Sequence, residues 1–506
     1  MEKATIVLDR RFRVGEVSDD LFDSFVEHLG RNVYGGVYDP ESPAADEEGF
    51  RRDLMEKVRE ARIPKVRYPG GNFSSGYRWE DGIGPVELRP KRLDLAFQSL
   101  ETNRIGTDEF MRWCKKAGTD CMMTVNLGTR GVDEARDLFE YCNHPGGSAL
   151  SDLRRRYGSE QPYDIHTWCL GNEIDGDWQI GHRSAEDYGK VALETAKTFR
   201  WMKPDTEIII CGSSSPEQPT LGSWESTVLD FCYDQADLVD YHIYFKNDLD
   251  DTQNYLCSPL RMDRYIQDGI ACLDFIKAKK KSRKQLNLAF TEWNVWFILE
   301  DTDHRTRYWD PAPSLLEDYF TFEDALVVGD LMLSMIKRAD RVKTACISQL
   351  VNVNAPLMTN VGGSGIYCQP TWYPFLHASL YGRGVSLNVP VTCSKVDTKQ
   401  YTDAPLLSAA AVWNEEKEQL ALFAINRSVT DDMLLEADVR NFEDYEVKNH
   451  IVLSDSDPKA INTLEDPDRV APVTGDPGEL DGGMYSVKLG RMSWNVIIFG
   501  KKEETA

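Results

Sequence analysis

The sequence predicts an α/β chain: a (β/α)8 TIM barrel followed by a C-terminal antiparallel β-sandwich, jelly-roll-like, that also takes in the N-terminal strand. Three observations predict this. Between about residue 20 and residue 350, eight short apolar runs alternate with longer amphipathic ones. Strands that are apolar on both faces, with helices between them, belong to a parallel sheet covered on both sides, and eight of them close a barrel. Past about residue 380 the runs become short, alternate apolar with polar residues and are separated by turn-rich segments, the pattern of a sandwich. At 506 residues the chain is too long for one ordinary domain. A barrel of roughly 300 residues with a smaller partner fits. The expected division is 1–18 as a strand joining the sandwich, 19–375 as the barrel and 376–506 as the sandwich.

In chain order, residues 4–14 have strand character and precede the barrel, so they are expected to pair with the C-terminal sheet. The barrel strands are expected at 22–27, 65–68, 121–126, 166–170, 207–212, 238–244, 286–292 and 344–350. Helical patterns lie between them at 50–61, 107–117, 132–141, 184–201, 223–235, 259–280 and 322–339. Ser184 before Ala185-Glu186-Asp187 is a helix start signal. A doubly wound open sheet is the alternative, but the Gly-rich phosphate turn that marks it does not follow the first strand. Trp113, Trp201 and Trp224 fall in helical patterns and are expected to pack. The basic run 277–284 ends a helix, where positive charge complements the dipole. Sandwich strands are expected at 406–413, 419–426, 433–439, 445–453, 483–489 and 494–499, with 464–483 as a surface loop.

Hydrophobic residues at 41% suffice for a large core, and the net charge of −25 repels phosphate. That argues against nucleic acid or an anionic membrane as partner and suits a neutral ligand. Residues 1–17 are charged and lack the apolar core of a secretion signal, and no window is apolar enough to span a membrane. The expected location is the cytoplasm. The eleven cysteines are scattered, several within apolar runs (Cys121, Cys169, Cys211, Cys346), and read as buried free thiols. Cys114, Cys121 and Cys142 lack zinc-site spacing, and neither metal nor cofactor is expected.

A parallel barrel carries its active site at the C-terminal strand ends. Here those ends are Glu27-His28, Arg67 to Asn72, Asn126, Asn172-Glu173, His242-Ile243-Tyr244, Glu292 to Trp296, and Gln349. Amides and carboxylates bind sugar hydroxyls, and indoles cover ring carbons, so the rim suits a neutral polyol. A carboxylate ending a buried strand is poorly solvated. One alone is more simply a salt-bridge partner, His242 alone a structural residue, and Gly70-Gly71 alone a turn. Two such carboxylates, Glu173 and Glu292, suggest the pair of a retaining glycosidase, about 5–5.5 Å apart. Strands four and seven face each other across a barrel mouth, which allows that distance. Arg67 is placed to keep the nucleophile ionised, while burial and like-charge repulsion keep the acid protonated.

At these residues the chain resembles the α-L-arabinofuranosidases of glycoside hydrolase family 51. The matching stretches are Phe25-Val26-Glu27-His28-Leu29-Gly30, Arg67-Tyr68-Pro69-Gly70-Gly71-Asn72-Phe73, residues 125–131, Trp168 to Gln179, Glu292-Trp293-Asn294-Val295-Trp296 and residues 349–353. The turns at 373–375 and 381–384 and the closing residues 493–496 extend the likeness through the sandwich. The resemblance implies Glu173 as acid/base and Glu292 as nucleophile. It implies that Glu27, Asn72, Asn172, Tyr244 and Gln349 bind arabinofuranose hydroxyls, that Arg67 and His242 support the carboxylates, and that Trp296 walls the pocket. It further implies a homohexamer acting inside the cell on short arabinose-containing oligosaccharides from arabinan or arabinoxylan. A β-xylosidase or endo-β-glucanase on the same barrel is the competing activity, and a non-catalytic carbohydrate-binding protein would have lost a glutamate. The chain departs from the family's pattern at Thr291, where an acidic residue is common, and at Asp177, Phe97, Phe297, Ile243 and Phe245-Lys246. The loop departures bear on the region beyond the arabinose.

Overall fold

The computed structural model describes residues 1–297 and 308–502. Eight parallel strands close a barrel: β1 (Asp23–Phe25), β2 (Lys65–Tyr68), β3 (Asp120–Thr124), β4 (Thr167–Leu170), β5 (Glu207–Cys211), β6 (Leu238–Phe245), β7 (Asn287–Val295) and β8 (Val342–Ile347). They pair in chain order, and β8 closes onto β1 through Cys346 opposite Asp23. Each overlaps one of the eight apolar runs. Phe25, Met122, Cys169, Ile209, Leu238, Ala289 and Cys346 form one buried cluster with a residue from every strand but β2. Strand β2 contributes Arg67 instead, whose guanidinium lies 4.9 Å from the Phe25 ring. The barrel core is therefore apolar, with the Arg67 charge buried beneath the rim.

The helical patterns become Arg52–Glu60, Thr107–Ala117, Val132–Asn143, Ala185–Met202, Ser223–Cys232, Leu260–Lys280 and Phe322–Ile336. Ser184 caps its helix by accepting from the Asp187 N–H at 3.2 Å. Ala149–Arg156, Thr252–Leu256 and Trp372–Tyr381 are additional helices. The last buries most of its residues, so it shows no amphipathic period. Trp113 and Trp224 pack as expected, but Trp201 does not: at the end of its helix it is 76% exposed, with the Lys197 ammonium 5.6 Å from its ring. All eleven cysteines are free and eight are buried.

The sandwich has a five-stranded and a seven-stranded sheet. The N-terminal run divides between them. Glu2–Val7 lies parallel to Met433–Asp438 in one sheet, and Arg13–Glu16 pairs antiparallel with Val385–Leu387 in the other. The break is a turn in which the Asp9 carboxylate accepts from the Arg11 N–H at 2.9 Å. The segment 464–483 is not wholly loop, since it holds the short strands Val473–Thr474 and Glu479–Asp481. Ala4, Ile6, Leu435, Leu422, Ile497 and Phe499 fill the space between the sheets. The outer face of the larger sheet packs on helix Phe322–Ile336, which is buried along its whole length. At Gly329 of that helix a Cβ would lie 2.7 Å from the Trp494 ring, so glycine permits the contact. Arg427 and Asp330 form a buried ion pair beside it, with Nε to Oδ2 at 2.7 Å.

Candidate active site

The ten residues singled out at the rim all gather at one mouth. Glu27 follows β1. Its Oε1 accepts from the backbone N–H groups of Gly71 and Phe73, both at 3.0 Å, and its Oε2 accepts from Gln349 Nε2 at 3.0 Å. Burial, reinforced by the charge of Glu292, outweighs the backbone donors and pushes the Glu27 carboxyl up to about 8. The Gly70–Gly71 pair is more than a turn. A Cβ at Gly71 would lie 2.5 Å from Glu292 Oε1, and one at Gly70, where φ is +146°, would lie 2.5 Å from Glu27 Cγ. Only glycines let this backbone pass between the two carboxylates.

Arg67 on β2 is fully buried. It donates from Nη1 to Glu292 Oε1 at 2.8 Å and from Nη2 to Asn172 Oδ1 at 2.6 Å. Burial alone would weaken its hold on the proton, but the neighbouring Glu292 charge more than reverses this, and the guanidinium stays charged. Asn172 at the end of β4 passes the chain on, donating from Nδ2 to Asn72 Oδ1 at 3.1 Å. Gln179 donates to the same Asn72 oxygen and to the Asn172 carbonyl, both at 2.9 Å. Sequence reasoning included Gln179 only as part of a matching stretch, and nothing in its local pattern marks the role.

The chain turns sharply at Glu173, whose φ is +46°, a left-handed conformation in which a non-glycine residue is uncommon. This aims the carboxylate across the mouth. Its Oε1 meets His242 Nδ1 at 2.9 Å, and its Oε2 accepts from the Trp178 indole N–H at 2.8 Å. Trp178 is 53% exposed and was also missed as a separate residue. Opposite, Glu292 on β7 accepts through Oε2 from the Tyr244 hydroxyl at 2.8 Å, and that hydroxyl lies 2.7 Å from Ser348 Oγ. Register irregularities in β6 between Asp240 and His242, and in β7 between Phe290 and Trp293, set His242 beside Glu292. Such bulges re-aim side chains.

Single atoms of Glu173, His242 and Glu292 all lie within 4.8 Å of one another. So close an approach of one oxygen from each carboxylate fits a retaining pair, about 5–5.5 Å apart, better than an inverting pair at roughly 6.5–9.5 Å. His242 points Nδ1 at Glu173, with Glu292 Oε2 3.6 Å away, and Nε2 at Asp240 Oδ2 at 3.0 Å. Burial disfavours its charge, but the surrounding Glu292 and Asp240 carboxylates raise its pKa well above the ordinary imidazole value. With carboxylates facing both of its nitrogens, the imidazole ties this cluster together by ion pairing.

Glu27, Asn72, Glu173, Tyr244, Glu292, Trp296 and Gln349 line a cavity of about 400 Å³. Arg67, Asn172 and His242 stand behind them. Trp296 meets the Tyr244 ring edge-on at 5.1 Å. Leu29, Phe97, Leu316 and Val353 give one wall an apolar surface. Among the described residues, Gln349 Oε1 and Trp296 Nε1 are buried polar atoms without a hydrogen-bond partner.

A barrel of this kind, with one glutamate just after β4 and another on β7 facing a single cavity, defines a (β/α)8 glycoside hydrolase. Residues 57–265 match the model of the α-L-arabinofuranosidase 1 domain, and 291–493 match that of the α-L-arabinofuranosidase C-terminal domain. The chain belongs to the family 51 α-L-arabinofuranosidases. It is 50% identical to an intracellular exo-α-(1→5)-L-arabinofuranosidase of Halalkalibacterium halodurans over 99% of both chains. It is 48% identical to intracellular exo-α-(1→5)-L-arabinofuranosidase 1 of Bacillus subtilis over 99% of this chain and 100% of that one. The solved structure of a family 51 α-L-arabinofuranosidase from Bifidobacterium longum superposes with a TM-score of 0.94 at 39% identity, covering 99% of this chain and 100% of that one.

Proposed function

We propose that this protein hydrolyses terminal non-reducing α-L-arabinofuranosyl groups from arabinan- or arabinoxylan-derived oligosaccharides, with retention, by double displacement. The observation that carries this is the approach of Glu173 and Glu292, one carboxylate oxygen of each lying within 4.8 Å of the other. Glu292 attacks the anomeric carbon while Glu173 gives its proton to the leaving oxygen, and an arabinosyl ester forms on Glu292. Glu173, now a carboxylate, takes a proton from water, which displaces the ester and releases arabinose. The assignment within the pair follows the neighbours. Arg67 and Tyr244 each donate to one oxygen of Glu292, which fixes an unprotonated nucleophile. Glu173 lies beside half-exposed Trp178, where an aglycone and then water have access. Glu27, Asn72, Tyr244 and Gln349 are assigned to the sugar hydroxyls and Trp296 to the wall, while Asn172, expected to bind a hydroxyl, stands behind the cavity and holds Asn72 and Arg67. The unpartnered Gln349 Oε1 and Trp296 Nε1 are suited to such hydroxyls.

In this reading residues 19–375 are the catalytic unit, and 376–506 with 1–18 support it. Two of the similar proteins are named intracellular, which supports action inside the cell. Among the described residues no helix is long and apolar enough to cross a membrane. Family likeness also supports a homohexamer, which the sedimentation-velocity mass tests. For the activity, rates on nitrophenyl α-L-arabinofuranoside should far exceed those on nitrophenyl β-D-xylopyranoside. Glu173→Ala should lose much more rate on poor leaving groups than on good ones. Equal loss on both would remove Glu173 from the acid role.

A further inference from the structure

Behind the catalytic pair lie two buried side chains outside the ten rim residues, Asp240 on β6 and Thr291 on β7. The Thr291 N–H donates to Asp240 Oδ1 at 2.8 Å, and its hydroxyl donates to Oδ2 at 2.5 Å. Asp240 Oδ2 also takes His242 Nε2 at 3.0 Å, and Thr291 Oγ1 lies 3.3 Å from that same nitrogen. Thr291 immediately precedes Glu292. A carboxylate at 291 would set an oxygen against those of Asp240, and two buried anions in contact are strongly disfavoured. The two positions share one site for one carboxylate, and this chain holds it on β6.

We propose that Asp240 is a positioning residue of this active site. It fixes His242 as a doubly protonated cation, and through it Oε1 of Glu173, taking from β6 the place that an acidic residue before the nucleophile would take from β7. This rests on the double-displacement reading above. The groups facing His242 are Asp240 on its own strand, Glu173 after β4, and Glu292 and Thr291 on β7. Arg67 and Asp175 act on the cluster by charge. The His242 charge then serves both half-reactions. It faces the Glu292 carboxylate before attack and the Glu173 carboxylate once Glu292 is an ester. No proton leaves the imidazolium in either step.

The test is relocation of the carboxylate. Asp240→Ser and Thr291→Asp are made singly and together, with melting temperatures measured for each. Each single variant should lose about 10–100-fold in kcat/KM on a substrate with a poor leaving group, and the double variant should regain most of it. The ¹⁵N signals of His242 should report both ring nitrogens protonated at pH 8 in the parent and in the double variant, and a neutral ring in Asp240→Ser. A folded double variant no better than the worse single variant overturns the proposal, as does an Asp240→Ser protein with parental rates and a charged ring. If Asp240→Ser does not fold, the parent decides, since a neutral His242 at pH 7 is equally fatal. Failure of the double-displacement reading would appear separately, as a parent inactive on arabinofuranosides.

Discussion

Gly71→Ala offers a severe test of the site geometry, because the substitution adds one methyl group and no charge. The new Cβ would lie 2.5 Å from Glu292 Oε1 and 3.4 Å from both Asn172 Nδ2 and Glu27 Oε1. The last two distances are ordinary contacts, so the steric conflict falls on the nucleophile, while the Gly71 backbone at φ −89° and ψ −105° adds strain for any residue with a Cβ. Relief to normal van der Waals separation needs a shift of roughly 1 Å. Glu292 Oε1 is held by Arg67 at 2.8 Å, and a shift of that size takes the pair out of hydrogen-bond range or moves both groups together. A misplacement of about 1 Å costs on the order of 10²-fold in rate, about 2.7 kcal/mol of barrier. The assay is kcat and KM on nitrophenyl α-L-arabinofuranoside, with thermal melting as a control for folding. The loss should fall mainly on kcat and persist well below the melting temperature, which the backbone strain lowers. A folded variant within about threefold of the parent in kcat would refute the close approach of Gly71 to the nucleophile.

Two further outcomes follow from the hydrogen bonds. Trp178→Phe keeps a ring but removes the donor to Glu173 Oε2. Since Trp178 is half-exposed, the loss should be about tenfold, at the low end for a bond to a charged group, and concentrated on poor leaving groups. Uniform loss across leaving groups would instead mark Trp178 as a packing residue. Glu27, raised from 4.5 to about 8, stabilises the fold fully below its unfolded value, and that contribution disappears as pH rises through the folded value. Between about pH 5 and 8 the parent should lose up to about 1.4 kcal/mol per unit from this group. Glu27→Gln lacks that loss, so melting curves of the two proteins should converge or cross over this window, and parallel curves would contradict the assignment.

The barrel is legible because strands covered on both faces must be apolar, and no other pattern of eight such runs fits helices of this length. The N-terminal division is not, because a turn built on Asp9 and Arg11 looks like any polar pair within a strand. Helix Trp372–Tyr381 escapes notice because burial on most sides erases its period, and Trp201 misleads because an exposed indole at a helix end carries the same letter as a packed one. The rim residues can be read from strand ends. Their partners cannot: Gln179 reaches Asn72 across more than one hundred residues of chain, |i−j| = 107, and Asp240 meets Thr291 only through a strand irregularity. Such contacts are set by tertiary geometry and leave no local signal. The separate tasks of Glu173 and Glu292 likewise come from their neighbours and the family likeness, since in sequence each is simply a glutamate closing an apolar run.

The most direct measurement is azide rescue of Glu292→Ala on an arabinofuranoside with a good leaving group. If Glu292 is the nucleophile, hydrolysis collapses, and azide entering the space of the lost carboxylate restores turnover by yielding the β-configured, inverted glycosyl azide. Unchanged hydrolysis, or no β-azide under these conditions, would contradict it.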